Sequence, residues 1–413
     1  MGTPDLTPML PPSSLTTRCC HPSLPQNSID LDQQGIQDAL DLGANGFVQA
    51  KEIFFNGGLS LDTTPPIRSI AGFSSSAEKK MYNGCPGCPY KDYSYAYDYY
   101  GEFDYANQIV VAALDGTVTN LANGNIDMRA STLVGREEVA KKGTVVLNVF
   151  QYVLREFEDA LDDCQSNCIK CNDGPVHAWD EGVAFYTGSL EGTDGSGSGN
   201  LLYALADKRC QNFGTCGVDK DFLDGTAGVN HELFQQFALG NYQLLTGDCS
   251  AARVTKERVA ELMYVPVIQG TLRYAYKMEN LQGGEKENAE GAIFAAAVLP
   301  KVAAFDEDAA RTIYSNIRMG APSTDAVAVK KAFESVYKEM GITCADVGGL
   351  WNTGTADYYT DYEPCKDKST KTMNAQTGVI VGSVLGALVI ILFAGIIFIR
   401  SKEKAGKPVF VSN

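Results

Sequence analysis

The chain has 413 residues, 45% hydrophobic and 20% charged, which excludes a disordered tail or a fibre and leaves room for a sizeable core. Lys plus Arg total 34 against 50 Asp plus Glu, a formal charge of -16, so a sequence-independent grip on a phosphate backbone would oppose the overall field. Only three histidines are present, at 21, 177 and 231, which excludes a His-rich metal cluster.

Residues 1 to 28 are rich in Pro, Ser and Thr and lack the basic and apolar regions of a signal peptide. They are set aside from the fold, with the expectation that the start of the chain is misassigned. Beyond them, apolar residues recur every three or four positions in Ile36 to Phe55, Ile109 to Leu121, Arg136 to Leu161, Glu232 to Leu245 and Lys256 to Met278. The pattern continues in Glu290 to Phe305, Glu307 to Ile317 and Asp325 to Met340. Gly- and Ser-rich loops are predicted at 63 to 76, 192 to 200 and 280 to 288. No alternating runs recur often enough to build a sheet, so an all-α, mainly helical bundle is expected.

A faint duplication runs through this region. REEVAKKGTVVLNVFQYVLREFED (136 to 159) resembles KERVAELMYVPVIQGTLRYAYKMEN (256 to 280), and each is followed by a helix start containing Glu-Gly, at Glu181-Gly182 and Glu290-Gly291. Two similar helical halves are therefore expected, about 29 to 225 and 226 to 365, with a cleft between them as the natural ligand location. A chance match between amphipathic helices is the competing explanation.

Of the 12 cysteines, the ten beyond Cys19 and Cys20 form an even set in a region expected to be translocated, which implies five disulfides stapling the loops. Local pairs suggest themselves for Cys85 with Cys88, Cys210 with Cys216 and Cys344 with Cys365; spacing does not settle them. A zinc site on Cys164, Cys168 and Cys171 is the alternative, weakened by the want of a fourth ligand nearby. CPGC also matches a redox C-x-x-C, out of its usual βαβ context.

Three segments carry chemistry. In HAWDEGVAFYTGSLEG (177 to 192), His177, Asp180 and Glu181 fall at i, i+3 and i+4 of a helix, a plausible shell for a cation such as Fe(III), with Tyr186 in reach. The plain alternative is a helix start whose carboxylates complement the dipole. In GVNHELFQQ (228 to 236), His231 and Glu232 diverge by roughly 100° on a helix, and Asn230 capping a helix start is the competing reading. Eight of the 20 tyrosines, Tyr82, Tyr90, Tyr93, Tyr95, Tyr97, Tyr99, Tyr100 and Tyr105, crowd one run with Asp92, Asp98, Glu102 and Asp104. A phenolate is a hard donor suited to Fe(III), although an exposed aromatic loop accounts for most of these residues. Hydrolase and nucleotide motifs are absent, so a non-enzymatic role is expected.

Gly378 to Ile399 is 22 residues without a charge, long enough for a bilayer core of roughly 30 Å, and Arg400, Lys402, Lys404 and Lys407 follow it. A single-pass type I membrane protein is expected, with residues 366 to 377 as juxtamembrane linker and 400 to 413 as cytosolic tail.

HAWDEGVAFYTGSLEG, YYGEFDYANQIVVAALDGT (99 to 117) and GVNHELFQQFALGN (228 to 241) resemble segments of the algal iron-assimilatory proteins induced by low iron, and the anchored form resembles the phytotransferrins. The resemblance covers about residues 30 to 365. It implies cell-surface binding of Fe(III) with carbonate as synergistic anion, then endocytosis with release in acidified vesicles, with endocytic or reductase partners. The metal ligands expected are drawn from His177, Asp180, Glu181, Tyr186, Tyr105, His231 and Glu232; Arg129, Arg136 and Arg155 are the candidate carbonate partners. An adhesion or scaffold ectodomain without metal, and an imelysin-like metallopeptidase, are the competing functions.

Overall fold

The computed structural model describes residues 25–60, 68–166, 175–192, 195 and 197–366. The apolar stretch 378 to 399, the N-terminal segment, Cys168 and Cys171 lie outside the described residues. Among the described residues no helix is long and apolar enough to cross a membrane.

The expected helical fold is found, with one two-residue antiparallel ladder, β1 (Trp351–Asn352) and β2 (Asp357–Tyr358), in register Trp351 with Tyr358. The helices are α1 (Ile29–Leu40), α2 (Gly46–Asn56), α3 (Ile70–Ser75), α4 (Lys91–Tyr100), α5 (Tyr105–Asp115), α6 (Leu133–Gly143), α7 (Phe150–Gln165), α8 (Pro175–Thr187), α9 (Leu202–Phe213) and α10 (Gly228–Leu245). The chain continues through α11 (Cys249–Asn280), α12 (Glu285–Ala303), α13 (Glu307–Ile317), α14 (Ala326–Val336) and α15 (Cys344–Val347). Residues up to Cys365 group as one compact unit, in which α6, from the first of the two matched segments, packs on α12, the helix that follows the second.

Local signals explain the boundaries. The single run predicted over Ile36 to Phe55 is two helices, because Gly43 takes a positive φ of 72° between them. Ser69, Thr132, Asp248, Asp306, Asp325 and Thr343 accept a backbone N–H at the helix starts that follow them. Asn230 is not a cap: α10 starts at Gly228, and Asn230 is fully buried one turn in. α6 and α7 are joined by a π-helical stretch, Thr144–Val149, so the segment predicted over Arg136 to Leu161 is helical throughout.

The two long helices pack in a like manner. α8 packs along α7, and α12 packs along α11, so each long helix carries the Glu-Gly helix that follows it. A Cβ on Gly182 would stand 2.7 Å from the Phe157 ring, and one on Gly291 would stand 2.7 Å from Ile317 and 3.1 Å from Tyr274 Cβ. Glycine is what lets the helices come this close.

The tyrosine run is not an exposed loop. It spans α4 and the start of α5, with Tyr90, Tyr93, Tyr100 and Tyr105 each at most 3% exposed. Tyr90 donates to Asp162 at 2.9 Å and Tyr100 to the Ala296 carbonyl at 2.6 Å. Four disulfides are present among the described residues: the three local pairs, and Cys164 with Cys249, which ties the end of α7 to the start of α11. That last bond overturns the zinc alternative, because Cys164 is consumed.

Deep in the bundle Asp92 of α4 accepts from Lys301 at 2.7 Å and Lys256 at 3.1 Å, and Lys256 also meets Glu158 at 2.6 Å. Burial alone would raise the Asp92 pKa; the two ammonium groups hold it well below the usual carboxylate range. Asp92→Asn leaves two buried ammonium groups short of a partner and is expected to lower stability by about 3–5 kcal/mol, read as a drop in the urea midpoint. The exposed Asp127–Arg129 pair is the control: Asp127→Asn leaves the midpoint unchanged. Equal midpoints for both variants would show that the buried carboxylate is not a structural anchor.

Candidate metal and anion site on α7 and α8

The Glu-Gly helix α8 is fixed in orientation by Trp179, fully buried, whose indole N–H donates to the Phe237 carbonyl at 3.0 Å while its ring meets Phe157 at 4.6 Å. With that face inward, His177, Asp180 and Glu181 emerge along the opposite edge. His177 Nε2 lies 3.0 Å from Glu181 Oε1, an i,i+4 pair. Asp180, expected beside them, turns toward α10 and accepts from Asn241 at 3.0 Å.

Facing Glu181, the neighbouring turn of α7 presents Tyr152, Arg155, Glu156 and Asp159. Arg155 Nη1 sits 2.6 Å from Glu156 Oε2 and its Nη2 2.9 Å from Asp159 Oδ2. Arg68, just before α3, approaches Glu181 at 3.7 Å and covers the Phe185 ring at 5.0 Å. Lys80, in a π-helical turn over Glu78–Asn83, donates to the Tyr152 hydroxyl at 3.1 Å. The arrangement is an alternation of three cationic and three anionic groups around one phenol and one imidazole.

Several atoms in it lack partners. Glu156 Oε1, Arg155 Nε and Arg68 Nη1 are buried with no hydrogen bond, although Glu156 is only 2% exposed. An unmade bond on a buried charged group costs more than an ordinary one, so these atoms mark where a ligand would gain most. Burial pushes the Glu156 pKa up, against the pull of Arg155 and with the push of Glu181. Burial likewise raises Asp159 and Tyr152 and lowers Lys80, the last with help from Arg155. Among the described residues, no three His, Cys, Asp or Glu side chains form a ready-made metal cage. A cation entering here has to take carboxylate oxygens from the guanidinium groups.

The other expected ligands lie apart from this cluster. Tyr186 is fully buried and donates to Asn230 at 2.6 Å, and Asn230 in turn donates to Asp207 at 2.7 Å. Tyr105 is buried and stacks on Tyr100 at 4.5 Å. Glu232 is held by Lys220 at 3.0 Å and Arg258 at 2.8 Å. His231, next to it, is half-buried, which lowers its pKa. Of the three arginines considered for an anion, Arg129 is spent on Asp127 and Arg136 closes the C-terminal carbonyls of α5 at Ala113 and Leu114. Only Arg155 reaches the cluster.

Sequence reasoning missed Tyr152, Glu156, Arg68 and Lys80. Tyr152 and Glu156 stand at i and i+4 inside the segment already singled out, so a helical wheel of that segment would have put them on one face. Nothing in the sequence brings Arg68 and Lys80 to it.

Burial raises the Asp180 carboxyl to about 7, with Asn241 and His177 opposing. The folded state therefore keeps a proton that the unfolded chain gives up near 3.8, so the contribution of this group is intact at low pH and is lost as pH rises toward 7. Metal-free protein is expected to melt at lower temperature at about pH 8 than at about pH 5.5, and Asp180→Asn to flatten that difference. Identical pH profiles for the two proteins would place the titration elsewhere.

Comparison with curated proteins and with solved structures returns no match. A family described as "Low iron-inducible periplasmic protein" matches residues 26–371, nearly all of the helical unit and every residue of the cluster, and ties the chain to iron. The chain belongs to this low-iron-induced periplasmic family.

Proposed function

We propose that the protein captures ferric iron outside the cell, at the cluster of His177, Glu181, Glu156 and Tyr152, with carbonate held by Arg155 and Arg68. The observation that carries this reading is the meeting of Glu156 and Glu181 across α7 and α8, with one carboxylate oxygen and two guanidinium nitrogens lacking partners. Phenol, carboxylate and imidazole form a donor set suited to Fe(III), and a guanidinium fork suits a planar oxyanion. Charge supports the pairing of cation with anion. The cluster already balances Arg68, Lys80 and Arg155 against Glu156, Asp159 and Glu181, so a bare ferric ion would leave an uncompensated charge in a half-buried site. A ferric ion, a carbonate dianion and a Tyr152 phenolate add none. The Lys80 ammonium, already donating to the Tyr152 oxygen, stabilises that phenolate once metal has displaced its proton.

Release follows from the same groups. Burial favours the protonated form of Glu156, and protonation of phenolate, carboxylate, imidazole and carbonate removes the donors and the anion together. An anchor at 378 to 399, delivery by endocytosis and release in an acidified vesicle complete the reading, with the protein acting as a binder and not as an enzyme.

Titration of the purified protein with ferric iron, with and without bicarbonate, is expected to give saturable binding and a visible phenolate-to-iron band that need bicarbonate and fade between about pH 7.5 and 5.5. Tyr152→Phe removes the band, Glu156→Gln and Glu181→Gln remove binding, and Arg155→Lys weakens it by about 10- to 100-fold. Tyr186→Phe leaves band and binding intact. A band that persists in Tyr152→Phe and vanishes in Tyr186→Phe would move the site to the α8–α10 contact, and no saturable binding would remove the iron reading.

A further inference from the structure

A second Glu-Gly pair, Glu290-Gly291 on α12, carries different chemistry: Tyr274 of α11 lies against Gly291, and Lys286 stands four residues before Glu290, as His177 does before Glu181. Beside Glu290 and Tyr274 lies a cavity of about 90 Å³, walled by Lys142 of α6 and by Lys208 and Arg209 of α9. It shares no residue with the α7–α8 cluster.

Arg209 sets the character of this cavity. It is 9% exposed, its Nε and Nη1 make no hydrogen bond, and among the described residues no carboxylate pairs with it or with Lys208 at the mouth. The Tyr274 hydroxyl lies between the Arg209 guanidinium and the Glu290 carboxylate, and Arg273 adds a further positive charge over the Tyr274 ring at 5.1 Å. Lys142 stands 3.9 Å from Glu290, shared with Glu138 at 3.8 Å, while Lys286 takes the other Glu138 oxygen at 3.1 Å. In a chain of net charge -16 this is a concentration of cations around a buried guanidinium with two partnerless nitrogens. Leaving those donors without acceptors costs their desolvation, and an anion in the cavity would supply oxygen acceptors to them.

We propose that this cavity binds a small oxyanion that still carries a proton, hydrogen phosphate or bicarbonate, at a site separate from the iron cluster. The volume admits a few non-hydrogen atoms and excludes a nucleotide or peptide. Arg209, Lys142 and Lys208 supply the donors. Glu290 is the discriminating group: its carboxylate accepts a hydrogen bond from the ligand's O–H and repels an oxyanion that has none, so sulfate is rejected.

The inference does not depend on the iron reading and is tested on metal-free full-length protein by isothermal titration at neutral pH. Phosphate is expected to bind saturably at one per chain, with sulfate at least about tenfold weaker, a difference of about 1.4 kcal/mol. Arg209→Gln abolishes phosphate binding. Because that buried substitution risks misfolding, the deciding variants are Lys208→Gln at the mouth, expected to weaken phosphate, and Glu290→Gln, expected to admit sulfate. Glu156→Gln leaves all of this unchanged. Displacement of phosphate by bicarbonate at lower concentration would name bicarbonate as the occupant of the same site. Absence of saturable binding by either anion, equal binding of sulfate by the unaltered protein, or indifference to both Lys208→Gln and Glu290→Gln would overturn the proposal.

Discussion

The constraint from which both polar clusters follow is the close approach of a Glu-Gly helix to the long helix before it. At Gly182 the Phe157 ring occupies the space a methyl group would need, and at Gly291 Ile317 and Tyr274 do the same. A side chain at either position would force the helices apart or the rings out of place, a cost of about 1–3 kcal/mol for an overpacked core. The glutamate before each glycine is carried by this contact to the long helix, where it meets Glu156 in one case and Tyr274 in the other. Packing thus decides where charge is placed, and charge then decides what the place can hold.

The interior tolerates charge because most of it is paired. Lys256 is fully buried yet contacts Asp92 and Glu158, and Glu158 also meets Arg253. Desolvation of each ion is offset by a partner at hydrogen-bond distance, and removal of one partner costs more than the pair contributes. Against that background the unsatisfied atoms stand out. Glu156 Oε1, Arg155 Nε and Arg68 Nη1 occur together in one cluster, and two nitrogens of Arg209 occur in the other cavity. Single partnerless oxygens also occur elsewhere, on Asp32 and Asp162 for example, but in these two places the partnerless atoms belong to charged groups clustered together, where a ligand of complementary charge would gain most.

The sequence was most legible where information is local. Helical periodicity located the long helices, and short cysteine separations suggested, without settling, three of the four bonds found among the described residues. His177 and Glu181 could be placed on one face because four residues separate them. What was not legible is what tertiary packing assembles. Cys164 and Cys249 are 85 residues apart, and Lys80 and Tyr152 are 72 apart, so neither pairing leaves a local trace. Tyr186 looked like a ligand beside His177, but its hydroxyl is aimed at Asn230 on α10, a direction that depends on which side of α8 Trp179 buries. The tyrosine run misled for a related reason. Its polar hydroxyls and interleaved carboxylates suggest exposure, while the rings at 90, 93, 100 and 105 each bury a large apolar area and several satisfy their oxygens internally.

The two clusters also show how two similar helix contacts can differ in electrostatics. In the first, carboxylates and cations alternate in equal number, so a multivalent cation is accommodated only with an anion beside it. In the second, Lys142, Lys208, Arg209 and Lys286 leave cations in excess around Glu290 and Glu138, so an anion alone restores balance. The glycine and the glutamate are common to both, since they set the helix contact. Lys286 and His177, one turn before the glutamate, are outside that contact and free to differ. An acidic surface bears on the two sites in opposite ways: it raises the local concentration of cations near the first and repels anions approaching the second. Selection at the second site therefore has to come from the buried Arg209 guanidinium and the Glu290 carboxylate, at short range, where the low surrounding dielectric makes fixed donors and one acceptor count for most.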